Sequence, residues 1–316
     1  MGRNVQYLAG GKGCMKASVI IPTNNAGSHI EKLLDLVAHQ TLQEIDVLII
    51  DSSSSDDTVE KARKFGIRIE VIPVSSFDHG ATRQRAVELC ATSERLVFFT
   101  QDALPYDIYS LERLVACLDD DSVGAAYGRQ LPAPLATPFA AHARLFNYPP
   151  DSIVKSLTDS ARLGIKTAFI SNSFAAYRRS ALISIGGFPD NVILSEDMYV
   201  TAKMLMNGYK IAYCADACVY HSHNYSPWQE FKRYFDQGVF HAQEAWIRSE
   251  FGHAEGEGKK FVQSELRYLI KEAPWLIPSA LYRSMLKYIG YRLGQNECAL
   301  PIQVKRCISM NKGYWN

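Results

Sequence analysis

The chain has 316 residues, of which 47% are hydrophobic and 21% charged, a composition typical of a globular protein rather than a disordered one. Its formal net charge of +1 gives no field that favours nucleic acid as a partner. The seven cysteines include no CxxC pair, which argues against a zinc or disulfide framework and favours a reducing compartment. No apolar run approaches the ~20 residues that cross a bilayer, and the N-terminus lacks a signal-peptide core. We therefore expect a cytoplasmic protein, or one held at the inner face of the cell membrane.

Short apolar runs alternate with helical patterns over the first 130 residues. The predicted strands span residues 17–21, 47–50, 67–72, 96–99 and 123–127, and the predicted helices span 57–65, 81–91 and 108–118, with one more from Ser28. This alternation predicts an α/β fold, an open and mostly parallel sheet with helices on both faces. Ligands bind such sheets at the carboxyl ends of the strands. Those ends are the polar segments 22–25, 51–55 and 100–102.

The second half of the chain begins with a Pro-rich segment, residues 131–150, which we interpret as a long functional loop. Strands are predicted over residues 174–177 and 211–220, a helix over 195–207, and further helices from Ser226 to about residue 294. The expected organisation is a tail over residues 1–15, a catalytic domain over 16–224 and a C-terminal helical extension over 225–316.

Several common nucleotide-binding and hydrolytic motifs are absent from the sequence. There is no GxGxxG after the first strand, no GxxxxGK[ST] and no GxSxG. The strand ends carry instead Asp51, Asp56 and Asp102, with Arg83 on a helix nearby in the sequence. Side chains of these types can hydrogen-bond a nucleobase and bind a diphosphate through a cation or a metal.

Five segments in order carry a family resemblance, although each alone would be weak. They are SVIIPTNN (18–25), DVLIIDSSSSDDT (46–58), FDHGATR (77–83), TQDA (100–103) and HSH (221–223). Over about residues 16–240 the chain resembles the inverting glycosyltransferase family 2, which has the GT-A fold, and in particular its rhamnosyltransferase branch. The resemblance implies transfer of L-rhamnose from dTDP-rhamnose to a hydroxyl of a growing, lipid-linked surface polysaccharide.

Two alternatives stay open at this point. The same fold can take another donor, such as a UDP-hexose, because the chemistry of no residue here identifies rhamnose as the donor sugar. The chain can also be a catalytically inactive nucleotide- or glycan-binding partner of a glycosyltransferase complex. The first aspartate of the family's Asp-x-Asp motif is missing from Thr100-Gln101-Asp102, which supports the inactive partner, whereas Glu196-Asp197 argues against it.

The resemblance also implies roles for individual residues. The nucleotide-sugar site would comprise Pro22, Thr23, Asn25, Asp51, Arg83, Gln101, Asp102 and Arg233. Asp51 would hydrogen-bond the base, although a carboxylate in this position also caps turns. Arg83 and Arg233 would meet the diphosphate with their forked donors, the alternative for both being an exposed helix arginine.

Asp102 and His221 are the predicted metal ligands. In the family this aspartate coordinates Mg²⁺ or Mn²⁺, which bridges the diphosphate oxygens. His221 ends a predicted strand where the family can supply a second ligand. We expect His223, two residues further on, to point the opposite way if the chain stays extended.

Asp197 is the predicted catalytic residue. Glu196-Asp197 follows Gly186-Gly187-Phe188-Pro189, and in the family the aspartate of this arrangement is the general base. A positioned carboxylate makes an acceptor hydroxyl nucleophilic by taking its proton. The dipole of the helix that begins here is expected to keep Asp197 ionised. Simple charge complementarity at the helix start is the alternative explanation for an acid at this position.

The C-terminal helices carry one further signal. Tyr282, Met285, Leu286, Ile289 and Leu293 form an apolar stripe, with Arg283, Lys287 and Arg292 elsewhere on the helix. Such a stripe commonly packs on the protein's own core. Its basic flank would also suit the anionic membrane surface at which a lipid-linked acceptor is found.

Overall fold

The computed structural model describes residues 17–252 and 255–315, so the expected tail over residues 1–15 lies outside the described part of the chain. The strands are β1 Ala17–Thr23, β2 Ile45–Asp51, β3 Arg68–Val71, β4 Arg95–Phe99, β5 Leu104–Pro105, β6 Val123–Leu131, β7 Ile153–Lys155, β8 Phe174–Arg178 and β9 Lys210–Tyr220. The helices are α1 Ile30–Ala38, α2 Thr58–Arg63, α3 His79–Leu89, α4 Ser110–Ala116, α5 Pro138–Asn147, α6 Ser160–Leu163, α7 Arg179–Ser184, α8 Glu196–Met206, α9 Pro227–Gln243, α10 Ala245–Phe251, α11 Glu255–Glu272, α12 Ile277–Gln295 and α13 Ile302–Ile308.

The sheet has the order β3-β2-β1-β4-β8-β6-β9-β5, with β7 also paired to β9. Strands β1 to β4 pair in parallel, as the sequence predicts. Beyond β4 the sheet becomes mixed, because β8 runs antiparallel to both β4 and β6. The α/β fold with C-terminal helices is therefore confirmed, and the parallel arrangement describes its first half.

The central strands are apolar on both faces because helices cover the sheet on both sides. Along β1, Ile20 packs into one core cluster with Leu48 and Phe98, whereas Val19 and Ile21 belong to the cluster on the other face. All of these side chains are buried. The polar ends of the strands are consequently the places where side chains can meet a ligand.

The Pro-rich segment 131–150 is not the open loop that the sequence suggested, because it contains α5. The Thr137 side chain accepts from Ala140 N and Pro138 occupies the first turn, a favourable start for a helix. The prolines thus begin a helix here. This correction matters because α5 places Arg144 beside β6, where Gln130 accepts a hydrogen bond from it.

Helix α12 lies against α9, and this contact decides which of its side chains are free. Arg283 and Lys287 both form ion pairs with Glu230 on α9, at 3.0 and 3.4 Å. The expectation that these two cations flank an exposed stripe is therefore wrong, since they face the interior. Tyr282, Met285 and Ile289, in contrast, are exposed. Within the described residues, no helix is both long and apolar enough to cross a membrane.

Candidate active site

The ends of β1 and β2 are joined through the Asp51 carboxylate. Asp51 is fully buried, and its Oδ2 accepts hydrogen bonds from Thr23 Oγ1 at 2.8 Å and from Ser54 Oγ at 2.6 Å. Its Oδ1 accepts from Ser54 N at 2.8 Å. Asp51 therefore holds the turn after β2, and its contact with a nucleobase stays a prediction.

The next turn is built from Asn25 and Gln101. Asn25 has a left-handed backbone (φ 51°), and its side chain accepts from Ser55 N at 2.9 Å. The Gln101 side chain accepts from Asn24 N at 2.8 Å and donates to Asn24 O at 3.1 Å. Gln101 thus links the end of β4 to the end of β1, where Pro22 is partly exposed. These residues shape the cleft edge at which the sequence predicts nucleotide binding.

Asp102 lies with two histidines in a cluster of metal-ligand type. His221 Nε2 is 3.4 Å from Asp102 Oδ1, and His223 Nδ1 is 3.6 Å from Asp102 Oδ2. One ligand atom of each residue lies within 4.8 Å of the others. The expectation that His223 points away from His221 is wrong, because side chains two residues apart in an extended chain project to the same side, and both rings lie beside Asp102. The candidate site therefore has three ligands rather than two.

The His221 ring is oriented by Gln130 of β6. His221 Nδ1 lies 2.9 Å from Gln130 Oε1, so the ring nitrogen facing the amide oxygen carries the proton. His221 Nε2 is buried and has no hydrogen-bond partner. Gln130 is itself held by Arg144, which donates to its Oε1, and by Ser171 Oγ at 3.0 Å. This arrangement leaves the Nε2 lone pair available, as a metal ligand requires.

The charges of the cluster also suit a cation. Burial opposes ionisation of Asp102, but His221 and then His223, when protonated, hold the pKa of its carboxyl well below its usual range. Burial, followed by the proximity of His221, lowers the pKa of His223 to about 4. At neutral pH the cluster thus offers an ionised carboxylate and a neutral His223, the forms that bind metals.

Asp197 lies in the first turn of α8. Its Oδ2 accepts from Asn172 N at 3.1 Å, and its Oδ1 accepts from Met198 N at 2.8 Å. Burial, and next the negative charge of Glu196, raise the pKa of Asp197 to about 7. The helix dipole therefore does not dominate here, contrary to the sequence-based expectation. A carboxylate with this pKa is suited to general-base chemistry near neutral pH.

Arg83 and Glu196 form a buried pair behind Asp197. Arg83 NH1 is 3.1 Å from Glu196 Oε1 and donates to His79 O at 2.8 Å. Arg83 is only 6% exposed, so its charge is neutralised inside the protein and does not face a diphosphate. Its predicted role at the nucleotide is corrected accordingly. Because Glu196 precedes Asp197 on α8, its ion pair with Arg83 of α3 holds the start of the helix that carries the base.

The segment FDHGATR (77–83), which begins α3, contacts the Gly-Gly-Phe-Pro segment (186–189) that precedes α8. Asp78 caps α3 by accepting from Gly80 N and Ala81 N. A Cβ on Gly80 would lie 1.6 Å from Pro189 O, so only glycine fits there. Phe188 N donates to Gln84 Oε1 at 3.1 Å. The start of α3 thus packs on the turn that precedes α8, the helix that carries Asp197.

Residues 171–173 connect the base to the metal-type cluster. Ser171 Oγ accepts from Gln130, the residue that orients His221. Asn172 N donates to Asp197, and Asn172 Nδ2 donates to Glu196 at 2.9 Å. Ser173 O accepts from Thr100 N, two residues before Asp102. One short segment therefore holds both halves of the site, although nothing in its sequence marked it.

Arg233, predicted to contact the diphosphate, lies on α9 beside the cluster. Its guanidinium is 5.9 Å from the centre of the Tyr225 ring, which stacks on His223. Arg233 is exposed, and no carboxylate of the described residues lies within 4 Å of it. Its charge is therefore available to an anion at the cluster, in contrast to that of Arg83.

A mixed sheet with a carboxylate–histidine cluster at its strand ends and a partly buried aspartate in the first turn of α8 is the arrangement of a GT-A nucleotide-sugar transferase. Residues 18–186 match the family model described as glycosyl transferase family 2, and the chain belongs to that family. It is a glycosyltransferase that uses a nucleotide-sugar donor and a glycan acceptor.

Two relatives from Salmonella resemble the chain over nearly its whole length. It is 49% identical to the O-antigen chain rhamnosyltransferase RfbN of Salmonella typhimurium, over 96% of each chain. It is also 49% identical to the O-antigen chain rhamnosyltransferase WbaN of Salmonella anatum, over 95% of each chain. The family predicted from the sequence is thereby confirmed.

Solved structures agree on the fold. The mannosyltransferase PcManGT from Pyrobaculum calidifontis, in complex with GDP-Man and Mn²⁺, has a TM-score of 0.56 at 20% identity, covering 96% of this chain and 86% of that one. TarS 1–349 of S. aureus, in complex with UDP-GlcNAc, has a TM-score of 0.54 at 19% identity, covering 90% of this chain and 91% of its own. At these identities the likeness establishes the GT-A-like fold.

Proposed function

We propose that this protein is an inverting rhamnosyltransferase that moves L-rhamnose from dTDP-rhamnose to a hydroxyl of a growing O-antigen-type polysaccharide. The observation that carries the proposal is the 49% identity to RfbN over 96% of both chains. A match of this length covers the catalytic region and the C-terminal helices alike. Asp197, with its pKa raised to about 7, supplies the base that such a transfer needs.

The donor site is proposed at the ends of β1, β2 and β4. Asp102, His221 and His223 would hold a divalent cation, which supplies neutralisation of the diphosphate when bound. Two imidazoles beside one carboxylate fit Mn²⁺ better than Mg²⁺, which prefers oxygen ligands. Pro22, Thr23, Asn25 and Asp51 would line the base and ribose, as the family resemblance implies.

The chemical step is proposed as a single displacement. The acceptor hydroxyl attacks the anomeric carbon while Asp197 takes its proton, and the bond from that carbon to the nucleoside diphosphate breaks. Attack from the side opposite the leaving group inverts the anomeric configuration. No carboxylate nucleophile is required, in contrast to a retaining glycosidase. Arg233 would offset the charge of the departing diphosphate.

The acceptor is proposed to be lipid-linked, so the enzyme would work at the inner face of the cell membrane. The exposed side of α12 is the proposed contact with anionic lipid, since Tyr282, Met285 and Ile289 are exposed there. Trp and Tyr side chains are favoured at membrane interfaces. The residues that supply the positive charge differ from those expected from the sequence, because Arg283 and Lys287 pair with Glu230.

A donor panel tests the proposal. The purified enzyme, incubated with acceptor and either dTDP-rhamnose, UDP-glucose or UDP-GlcNAc, is expected to release nucleoside diphosphate from dTDP-rhamnose. EDTA should abolish release, and Mn²⁺ should restore it better than Mg²⁺. Asp102→Ala should lose metal-dependent binding of dTDP in calorimetry, whereas exposed Asp121→Ala serves as the control. Turnover of a UDP-hexose alone would assign the other donor. Binding without any turnover would indicate the inactive partner.

A further inference from the structure

Arg144 is a cation that the sequence did not single out. It lies on α5, and its NH1 donates to Gln130 Oε1. Its guanidinium carbon is 5.6 Å from the centre of the Tyr148 ring. Its Nε is buried and has no hydrogen-bond partner. Arg144 thus has a donor that the protein itself leaves unused.

Two other arginines with little exposure are paired with carboxylates. Arg83 pairs with Glu196, and Arg283 pairs with Glu230. Among residues 17–252 and 255–315, no carboxylate oxygen lies within 4 Å of the Arg144 guanidinium. A charge removed from water without a counter-ion is costly, so such groups are normally paired or bind a ligand.

The position of Arg144 indicates the charge and the location of a ligand that would pair with it. Gln130 Oε1 accepts from Arg144 and also contacts His221 Nδ1, so one amide oxygen separates the guanidinium from the His221 ring. Burial lowers the pKa of Arg144, Arg233 acts in the same direction, and Asp102 opposes it. Two arginines without carboxylate partners therefore lie near the Asp102 cluster, where an anion would satisfy both.

We infer that Arg144 binds the diphosphate of the nucleotide sugar and stabilises it as the leaving group, together with Arg233. The inference rests on the proposed function, because it needs a nucleoside diphosphate at the cluster. As the bond to the anomeric carbon breaks, negative charge grows on the diphosphate oxygens. A guanidinium fixed by Gln130 and Tyr148 is oriented before that charge develops, which is how such donors favour a transition state.

A positioning role is the competing explanation. Arg144 holds Gln130, and Gln130 orients His221, so losing Arg144 could weaken the metal site without any contact to the nucleotide. The two roles differ in what they affect. If Arg144 contacts the diphosphate, its loss should weaken binding of dTDP far more than binding of dTMP. If Arg144 acts only by orienting His221, its loss should weaken binding of Mn²⁺ even in the absence of nucleotide.

The test compares Arg144→Met, Arg144→Lys and the control Arg129→Met. Arg129 precedes Gln130 on β6, donates to Tyr148 O at 3.2 Å, and points to the other face of the strand. Calorimetry with Mn²⁺ gives the affinities for dTDP, UDP and dTMP, and electron paramagnetic resonance gives the affinity for Mn²⁺ alone. Melting curves show whether each variant folds, and Arg144→Lys tests the charge if Arg144→Met does not.

Arg144→Met should weaken nucleoside diphosphate binding by roughly 10- to 100-fold, the usual value of a hydrogen-bonded charge. Binding of dTMP should fall less, Mn²⁺ affinity should stay near wild type, and Arg144→Lys should recover part of the loss. Arg129→Met should resemble wild type. An equal loss for Mn²⁺ alone would replace the inference by the positioning role. Unchanged diphosphate affinity would reject the Arg144 contact and leave the proposed function intact. If the wild-type enzyme binds neither dTDP nor UDP, both fail.

Discussion

At the scale of single residues, the adjacent carboxylates of α8 show how environment separates two roles. Burial disfavours the charged form of both. Arg83 and then His79 overcome this for Glu196 and hold its pKa below the usual range. For Asp197, burial and then the charge of Glu196 outweigh the opposing effect of Arg83, so its pKa rises to about 7. Glu196 is therefore a fixed anion, and Asp197 is the group able to take a proton.

This separation predicts the pH dependence. The base must be unprotonated, so kcat/KM should rise as the pH increases through about 7 and then level off. Glu196→Gln removes the neighbouring negative charge, which should lower the pKa of Asp197 and move the acid limb to lower pH. Asp197→Asn should reduce turnover by roughly 10²–10⁴-fold and leave dTDP affinity near wild type.

Rate measurements from pH 5 to 9 check this, with thermal melting to establish that each variant is folded. Glu196→Gln also leaves Arg83 without its partner, so a lower maximal rate is expected whether or not Asp197 is the base. The pH at which the acid limb lies is therefore the measurement that tests the role of Asp197. An acid limb that does not move in Glu196→Gln, or wild-type turnover in Asp197→Asn, would remove Asp197 from the base role.

At the scale of elements, the regular strands and helices were predictable from periodicity. The strands and helices predicted over the first 130 residues are present, with ends displaced by at most four residues. Helix α5 was missed because its prolines were interpreted as loop signals, although Thr137-Pro138 is also a favourable helix start. Hydrophobic period is a local property, so it is readable without knowledge of the fold.

The site was only partly predictable, for a physical reason. Asp102, His221 and Asp197 lie at element ends where a motif reports their position. The partners that set their chemistry are far away in sequence: Gln130 is 91 residues from His221, and Asn172 is 25 residues from Asp197. No local pattern encodes such pairs. For the same reason the sequence placed Arg83 at the nucleotide, whereas its contact with Glu196 makes it internal.

The contact between α9 and α12 offers a test at this scale. Gly294 packs directly on α9, where an added Cβ would lie 2.0 Å from Phe235 O. Gly294→Ala should therefore force the helices apart and destabilise the protein by about 1–3 kcal/mol. Gly256→Ala is the matched control, because nothing lies within 4 Å of the added Cβ and alanine favours a helix. Thermal unfolding measures both, and equal melting temperatures would show that the helices adjust at no cost.

At the scale of the whole molecule, the C-terminal helices are part of the catalytic body. Phe235, Val239, Phe240 and Trp315 belong to the same core cluster as Phe98 on β4. Asn311 hydrogen-bonds Asp236 of α9 and approaches His79 Nε2 at 3.4 Å, and His79 O accepts from Arg83. The C-terminal segment thus supports the buried pair behind the base. Its outward side faces solvent instead.

That outward side is the proposed membrane contact. Trp275, Tyr288, Leu281, Tyr282 and Met285 are all more than half exposed, with Trp275 at 74%. Arg267, Lys271 and Arg292 are exposed, and none has a described carboxylate within 4 Å. Arg267 and Lys271 replace Arg283 and Lys287, which pair with Glu230, and Arg292 is kept from the sequence-based expectation.

Each basic residue near an anionic surface contributes about 1 kcal/mol, so three of them and several apolar side chains predict weak, salt-sensitive attachment. The wild-type enzyme should co-sediment with phosphatidylglycerol-containing vesicles and not with pure phosphatidylcholine, and high salt should release it. Changing Arg267, Lys271 and Arg292 together to glutamate should abolish binding, whereas the same change at the exposed Lys32, Arg63 and Lys210 should not. Because the catalytic residues lie elsewhere, both triple variants should still use a short soluble acceptor.

If the two variants bind vesicles equally, the exposed surface of α11 and α12 is not the membrane contact. If the wild-type protein does not co-sediment with anionic vesicles, the acceptor must reach the enzyme by another surface.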